Sequence, residues 1–202
     1  VKIGLFGGSF DPVHNGHINA AVAFADALAL DRVIIMPAHT PPHKEAPNMA
    51  STEDRLAMCR LAFNGDERFV VSDYEIQHDE KSYTITTLKY LRQKYPKDEL
   101  YLLMGGDMLL YFRRWYRWTS IGKMAILAGA ARHDDEHAAL EAEAETLRSF
   151  GLDVRVIPID VLDISSTEVR KAIRNTKDTS ALIPREVAAY IFERGLYMKD
   201  DR

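Results

Sequence analysis

The segment Gly7-Gly8-Ser9-Phe10-Asp11-Pro12-Val13-His14-Asn15-Gly16-His17 gathers residue types that bind charged ligands. It follows a short apolar run, Lys2 to Phe6, and precedes an Ala- and Leu-rich stretch, His17 to Leu30, with apolar residues at helical spacing. That order predicts strand, turn and helix. Adjacent glycines let a backbone approach a ligand with no Cβ in the way. A helix starting near Gly16 offers unbonded N–H groups and the positive end of its dipole to an anion. His14 and His17 stand three apart at this terminus, so both imidazoles can serve one anion. No Gly-Lys-Ser/Thr follows, as a Walker loop requires, and Gly-x-Gly-x-x-Gly is absent too. Spacing alone leaves three readings open: a phosphate site, a His-x-x-His metal site with Asp11 as the nearby third ligand, and two histidines that merely cap a helix.

A second cluster, Ile164-Ser165-Ser166-Thr167-Glu168-Val169-Arg170, has related chemistry. Hydroxyl residues precede a helix, and Arg170 projects one turn in, so hydroxyls, N–H groups and a guanidinium are placed to hold phosphate oxygens. A plain N-cap at Ser165 or Ser166, with Glu168 in the first turn, is the alternative.

The elements that must position these clusters alternate. Strand-like runs are Lys2 to Phe6, Arg32 to Met36, Phe69 to Ser72, Leu100 to Met104, Met124 to Leu127 and Val154 to Ile157. Between them, helices are expected from His17 to Leu30, from a Ser51 cap to about Phe63, from Tyr83 to Tyr95 and from Asp134 to Phe150. Two short helices should follow Ser165 and Pro184. Strictly alternating strands and helices predict an α/β fold, an open and mainly parallel twisted sheet of five or six strands flanked by helices. One domain over 1–202 is expected, with a small C-terminal helical segment from about 165. In such sheets ligands sit beyond the carboxyl ends of the strands, where both clusters fall. Gly105-Gly106-Asp107 falls there as well.

Composition narrows the classes. The chain has 202 residues, 47% of them hydrophobic and 28% charged, enough for a buried core and unlike a disordered segment. Its net charge of −4 makes a general nucleic-acid surface unexpected. The lone Cys59 excludes an intramolecular disulfide and fits a buried thiol. Charged residues enter almost at once and no apolar run approaches a membrane span, so the cytoplasm is the expected compartment.

Gly8-Ser9-Phe10-Asp11-Pro12-x-His14-x-Gly16-His17 closely resembles the signature of the nucleotidyltransferase superfamily that includes pyridine-nucleotide and pantetheine-phosphate adenylyltransferases. The segment from Ile164 to Arg170 resembles that superfamily's Ile-Ser-Ser-Thr-x-x-Arg triphosphate motif. Pro41-Pro42-His43-Lys44, Lys81-Ser82-Tyr83-Thr84, Gly105-x-Asp107 and Trp115 are similar to the bacterial nicotinate-mononucleotide adenylyltransferases. The likeness runs from Lys2 to Tyr197. Arg132 departs from it, because His133-Asp134 follow where the family usually has Arg-Pro-Gly.

The resemblance implies a Rossmann-like nucleotidyltransferase fold and adenylyl transfer from ATP to nicotinate mononucleotide, giving nicotinate adenine dinucleotide and pyrophosphate in NAD biosynthesis. It implies catalytic roles for His14, His17 and Arg170. ATP would further touch Gly7, Gly8, Ser9, Phe10, Gly105, Asp107, Ile164, Ser165 and Ser166. The mononucleotide would meet Lys44, Tyr83, Thr84, Trp115 and Arg132. Mg²⁺ is expected to arrive with ATP, held by substrate and water, with no metal ligand from the protein. The residues agree: the helix start at Tyr83-Thr84 suits a pyridine carboxylate, and Trp115 offers a flat face to a pyridinium ring. Another phosphorylated acceptor, such as nicotinamide mononucleotide or phosphopantetheine, is the nearest alternative; a non-catalytic nucleotide-binding regulator is the rival from another class. The partners expected are small molecules, with neither nucleic acid nor membrane, and the oligomeric state is open, a homodimer included.

Overall fold

Six apolar runs pair into one parallel sheet: β1 (Lys2–Gly8), β2 (Arg32–Pro37), β3 (Phe69–Val71), β4 (Glu99–Gly105), β5 (Ile126–Ala131) and β6 (Val154–Pro158), in the order β3-β2-β1-β4-β5-β6. The computed structural model describes residues 1–39, 49–78, 83–131, 134–160 and 162–198. Helices α1 (Asn15–Leu28), α2 (Thr52–Ala62), α3 (Thr84–Lys94), α4 (Gly106–Tyr111), α5 (Trp118–Met124), α6 (Asp134–Ser149), α7 (Ser166–Arg174) and α8 (Arg185–Arg194) make the connections or follow the last strand. The open parallel α/β sheet expected from the element order is present.

Side chains along a strand alternate between faces, and this sheet buries both. Ile3, Leu5, Ile34, Met36, Leu100, Leu102 and Met104 join a core with residues of α3, α4, α5 and α6. Phe6, Val33, Ile35, Tyr101 and Leu103 join the opposite core with residues of α1, α2, α7 and α8. Burial on both sides is why the strands read as continuous apolar runs. The order reverses between β1 and β4: the chain leaving β1 turns to one face through α1, and the chain leaving β4 turns to the other through α4. This divergence opens a crevice at the carboxyl ends of the two central strands.

Three stretches differ from expectation. Helix α1 starts at Asn15, earlier than His17, because His14 supplies the cap. Residues 106–124, not expected to be helical, form α4, a 3-10 turn at Phe112–Arg114, and α5. Met124 closes α5 and is not part of a strand; β5 runs Ile126–Ala131 and is richer in small residues than a typical strand. The reason is packing, since a Cβ on Gly129 would lie 2.5 Å from the Leu109 side chain of α4.

Candidate active site

The turn after β1 is built around the two histidines. His14 is the N-cap of α1: its Nδ1 accepts from the His17 backbone N–H (3.3 Å), while the His14 N–H donates to His17 Nδ1 (3.2 Å). This reciprocal capping box stacks the imidazoles, with centroids 3.6 Å apart. An Nδ1 that accepts carries no proton, so a neutral ring has its N–H at Nε2. Burial agrees, holding the His14 pKa down at about 4. The capping reading and the anion reading are therefore compatible, because the reciprocal caps use Nδ1 and not Nε2. The metal reading fares worse. Both Nδ1 atoms already face N–H groups, and Asp11 Oδ1 accepts from the Tyr197 hydroxyl (2.6 Å) and the Ala50 N–H (3.0 Å). Among the described residues no group of three His, Cys, Asp or Glu could hold a metal ion.

Gly7 and Gly8 end β1. A Cβ on Gly8 would press the Phe10 ring at 3.1 Å, whereas one on Gly7 would have only ordinary contact with Met36 O at 3.9 Å, so the Gly7 side of the turn is sterically open. Phe10 is buried and adopts a left-handed backbone, φ 49°, which a bulky residue takes only when its surroundings hold it there. The Arg55 guanidinium provides much of that hold. Fully buried, it donates to Ser9 O (2.7 Å), His39 O (3.1 Å) and Ala50 O (3.2 Å), tying the β1–α1 turn to both ends of the connection between β2 and α2.

The second cluster docks directly on the first. Ser166 Oγ donates to Pro12 O (3.0 Å), and Arg170 Nη1 donates to Asp11 O (2.7 Å), with Asp11 Oδ2 at 3.8 Å. These contacts span more than 150 residues of sequence. Ser165 is the N-cap of α7 and accepts from the Glu168 N–H (3.1 Å); its own hydroxyl proton is not used by that bond. Ser166, by contrast, already donates within the protein. Ile164 packs against the core beside α1.

Gly105 is the N-cap of α4, and a Cβ there would strike Asp107 Oδ1 at 2.8 Å, so glycine makes room for the carboxylate. Asp107 is exposed in the first turn of α4. Thr84 opens α3, whose N-cap, Tyr83, forms no side-chain cap bond. In a parallel sheet the crossover helices run back along the strands, so the starts of α1, α3 and α4 share the carboxyl edge. Trp115 follows the 3-10 turn, its ring 5.5 Å from Phe112, and its Nε1–H is buried with no partner among the described residues. Tyr116, which the sequence reading did not select, meets Tyr83 at 5.2 Å and links this turn to the start of α3. An aromatic residue beside Trp115 was the available signal. Arg113, one of three arginines flanking Trp115, is engaged by Glu143 at 2.7 and 3.0 Å. Arg55 and Tyr197 were also missed, since nothing local to either marks its distant partner. Lys44 and Arg132 lie outside the described residues, as do Pro41-Pro42-His43 and the pair Lys81-Ser82.

The profile of the Cytidylyltransferase-like family matches residues 5–172. A protein of Neisseria meningitidis serogroup C, named "Probable nicotinate-nucleotide adenylyltransferase", is 41% identical over 98% of this chain and 99% of its own. One of the same name from Shewanella sediminis is 37% identical over 98% of both. Among solved structures, Plasmodium falciparum nicotinic acid mononucleotide adenylyltransferase complexed with NaAD superposes with a TM-score of 0.80 at 19% identity, covering 100% of this chain and 99% of that one. The last likeness is one of fold. No helix among the described residues is long and apolar enough to cross a membrane.

Proposed function

Because the chain belongs to the cytidylyltransferase-like family, we propose that it transfers the adenylyl group of ATP to nicotinate mononucleotide, forming nicotinate adenine dinucleotide and pyrophosphate, a step of NAD biosynthesis. Full-length relatives at about 40% identity that bear this enzyme's name support the acceptor. The observation that carries the reading is the docking of α7 on the β1–α1 turn through Ser166 and Arg170, which puts two phosphate-binding helix starts side by side.

A mononucleotide phosphate oxygen, ionised at neutral pH, attacks the α-phosphorus of ATP; the new P–O bond forms as the bond to the pyrophosphate oxygen breaks. No general base or covalent enzyme intermediate is needed. Alignment and charge stabilisation carry the rate. His14, a neutral ring of fixed tautomer, and His17 donate to the oxygens of the α-phosphate. Arg170 and the first N–H groups of α7 hold the departing phosphates. Gly7 and Gly8 let the nucleotide lie against the backbone, and Asp107 accepts from a ribose hydroxyl. On the acceptor side, the start of α3 at Tyr83-Thr84 takes the pyridine carboxylate, and Trp115 takes the ring face. Lys44 and Arg132 keep the mononucleotide contacts that the resemblance implies. Mg²⁺ enters as part of the ATP substrate, its charge offsetting that of the triphosphate.

Pyrophosphate release with ATP and Mg²⁺, offered nicotinate mononucleotide, nicotinamide mononucleotide and phosphopantetheine in parallel, tests this reading. The nicotinate acid should be preferred. Turnover only with phosphopantetheine would discard the acceptor site, and ATP binding without any turnover would favour a regulator.

A further inference from the structure

Beyond the reacting groups, we infer that Tyr197 is a positioning residue of the nucleotide site, acting through Asp11 on Arg170. The inference rests on the reading that Arg170 holds ATP phosphates. Its ground is a chain of contacts. The Tyr197 hydroxyl donates to Asp11 Oδ1 (2.6 Å); the backbone carbonyl of the same Asp11 accepts from Arg170 Nη1 (2.7 Å), and its Oδ2 lies 3.8 Å from that nitrogen. The Arg170 side chain is 28% exposed, so donors remain for a ligand. Asp11 is fixed from both ends: Ala50 N–H and Tyr197 hold one carboxylate oxygen, and Arg170 faces the other.

Backbone conformation gives a second, separate observation. Tyr197 adopts φ 61° and Phe10, next to Asp11, adopts φ 49°. Each is a bulky residue in the left-handed region, and such residues persist where the surroundings over-determine them. The Tyr197 end of the Tyr197–Asp11 bond thus sits on left-handed backbone and the Asp11 end directly follows a residue that does, just where the turn meets the segment after α8. Burial and the adjacent carboxylate push the Tyr197 phenol well above its ordinary range, so it stays a donor at any working pH.

Tyr197→Phe removes the hydroxyl while keeping ring and backbone. Its comparator is Tyr190→Phe, which removes another hydroxyl–carboxylate bond of the same region, to Asp54 at 2.8 Å, without touching Asp11. The readout is ATP binding by calorimetry, which needs no acceptor and so separates this inference from the choice of acceptor. Tyr197→Phe should weaken ATP about 10-fold, Tyr190→Phe should leave it unchanged, and both should lower thermal stability alike. In the Arg170→Lys background the Tyr197→Phe loss should largely vanish, because the two act in series. Equal ATP affinity in the two tyrosine variants, or additive losses with Arg170→Lys, overturns the inference; an unmutated protein that binds no ATP overturns it together with the nucleotide reading. Should Tyr197→Phe not fold, hydrogen exchange on the unmutated protein decides. By reciprocity ATP must slow the amides of residues 196–198, and unchanged exchange there overturns the inference.

Discussion

On the β1 side of the carboxyl edge, polar groups are held by distant parts of the chain. His14 and His17 cap each other, Arg55 bridges two loops, and Asp11 meets Tyr197 and Arg170. On the β4 side the helices start with much less. Tyr83 at α3, Gly105 at α4 and Arg117 at α5 make no side-chain cap bond, and the buried Trp115 Nε1–H has no partner among the described residues. The β1 side is organised before any ligand arrives, and the β4 side leaves donors for one. That division suits a triphosphate of invariant shape on the first side and an acceptor that must be selected on the second. Pre-organised donors are worth most where charge moves in the reaction.

Breaking the organised side should cost most. Arg55→Met keeps the volume of this buried side chain but strips three part-buried carbonyls of their donor, which should destabilise the protein by about 4 kcal/mol in urea titrations. If stability instead held, the β1 side would owe its shape to packing alone.

Acid should act on the same side somewhat less. An unfolded histidine takes up its proton near 6.5, whereas folded His14 resists until about 4. Between those values the unfolded chain binds more protons, so stability is full above pH 6.5 and falls as pH drops toward 4. The loss attributable to this group is about 3 kcal/mol. His14→Asn, which keeps a capping oxygen but does not titrate, should flatten that part of a stability-against-pH curve. An unchanged slope would show that the ring is not held neutral.

The smallest effect belongs to the less organised side. Trp115→Ala should raise KM for the mononucleotide by about 10-fold and leave KM for ATP alone in steady-state assays. A change in both would dissolve the distinction between the sides.

The sheet and the two clusters that meet at its carboxyl edge were legible because their signals are local: β-branched runs, adjacent glycines, Ser before a helix. What was not legible has a physical cause in each case. Helices α4 and α5 are too short to show a period, and the 3-10 turn and the left-handed Arg117 interrupt them. The register of β5 was displaced because Leu109 demands a small residue at Gly129, overriding strand propensity. His14 as a cap stayed one of three open readings because its reciprocal partner is another histidine and not the usual Glu or Gln. The partners of Arg55, Asp11 and Tyr197 lie at separations that no spacing rule reaches.

The ties from Ser166, Arg170 and Tyr197 to the β1–α1 turn also set a timetable. A ribosome extends a chain at about 5–20 residues per second, so the turn leaves the exit tunnel many seconds before the segments that clasp it. Strands β1 to β6 are all made before residue 165. A nascent chain therefore makes all six strands before the segments that tie down the β1–α1 turn, and the candidate site is assembled only after the sheet on which it stands.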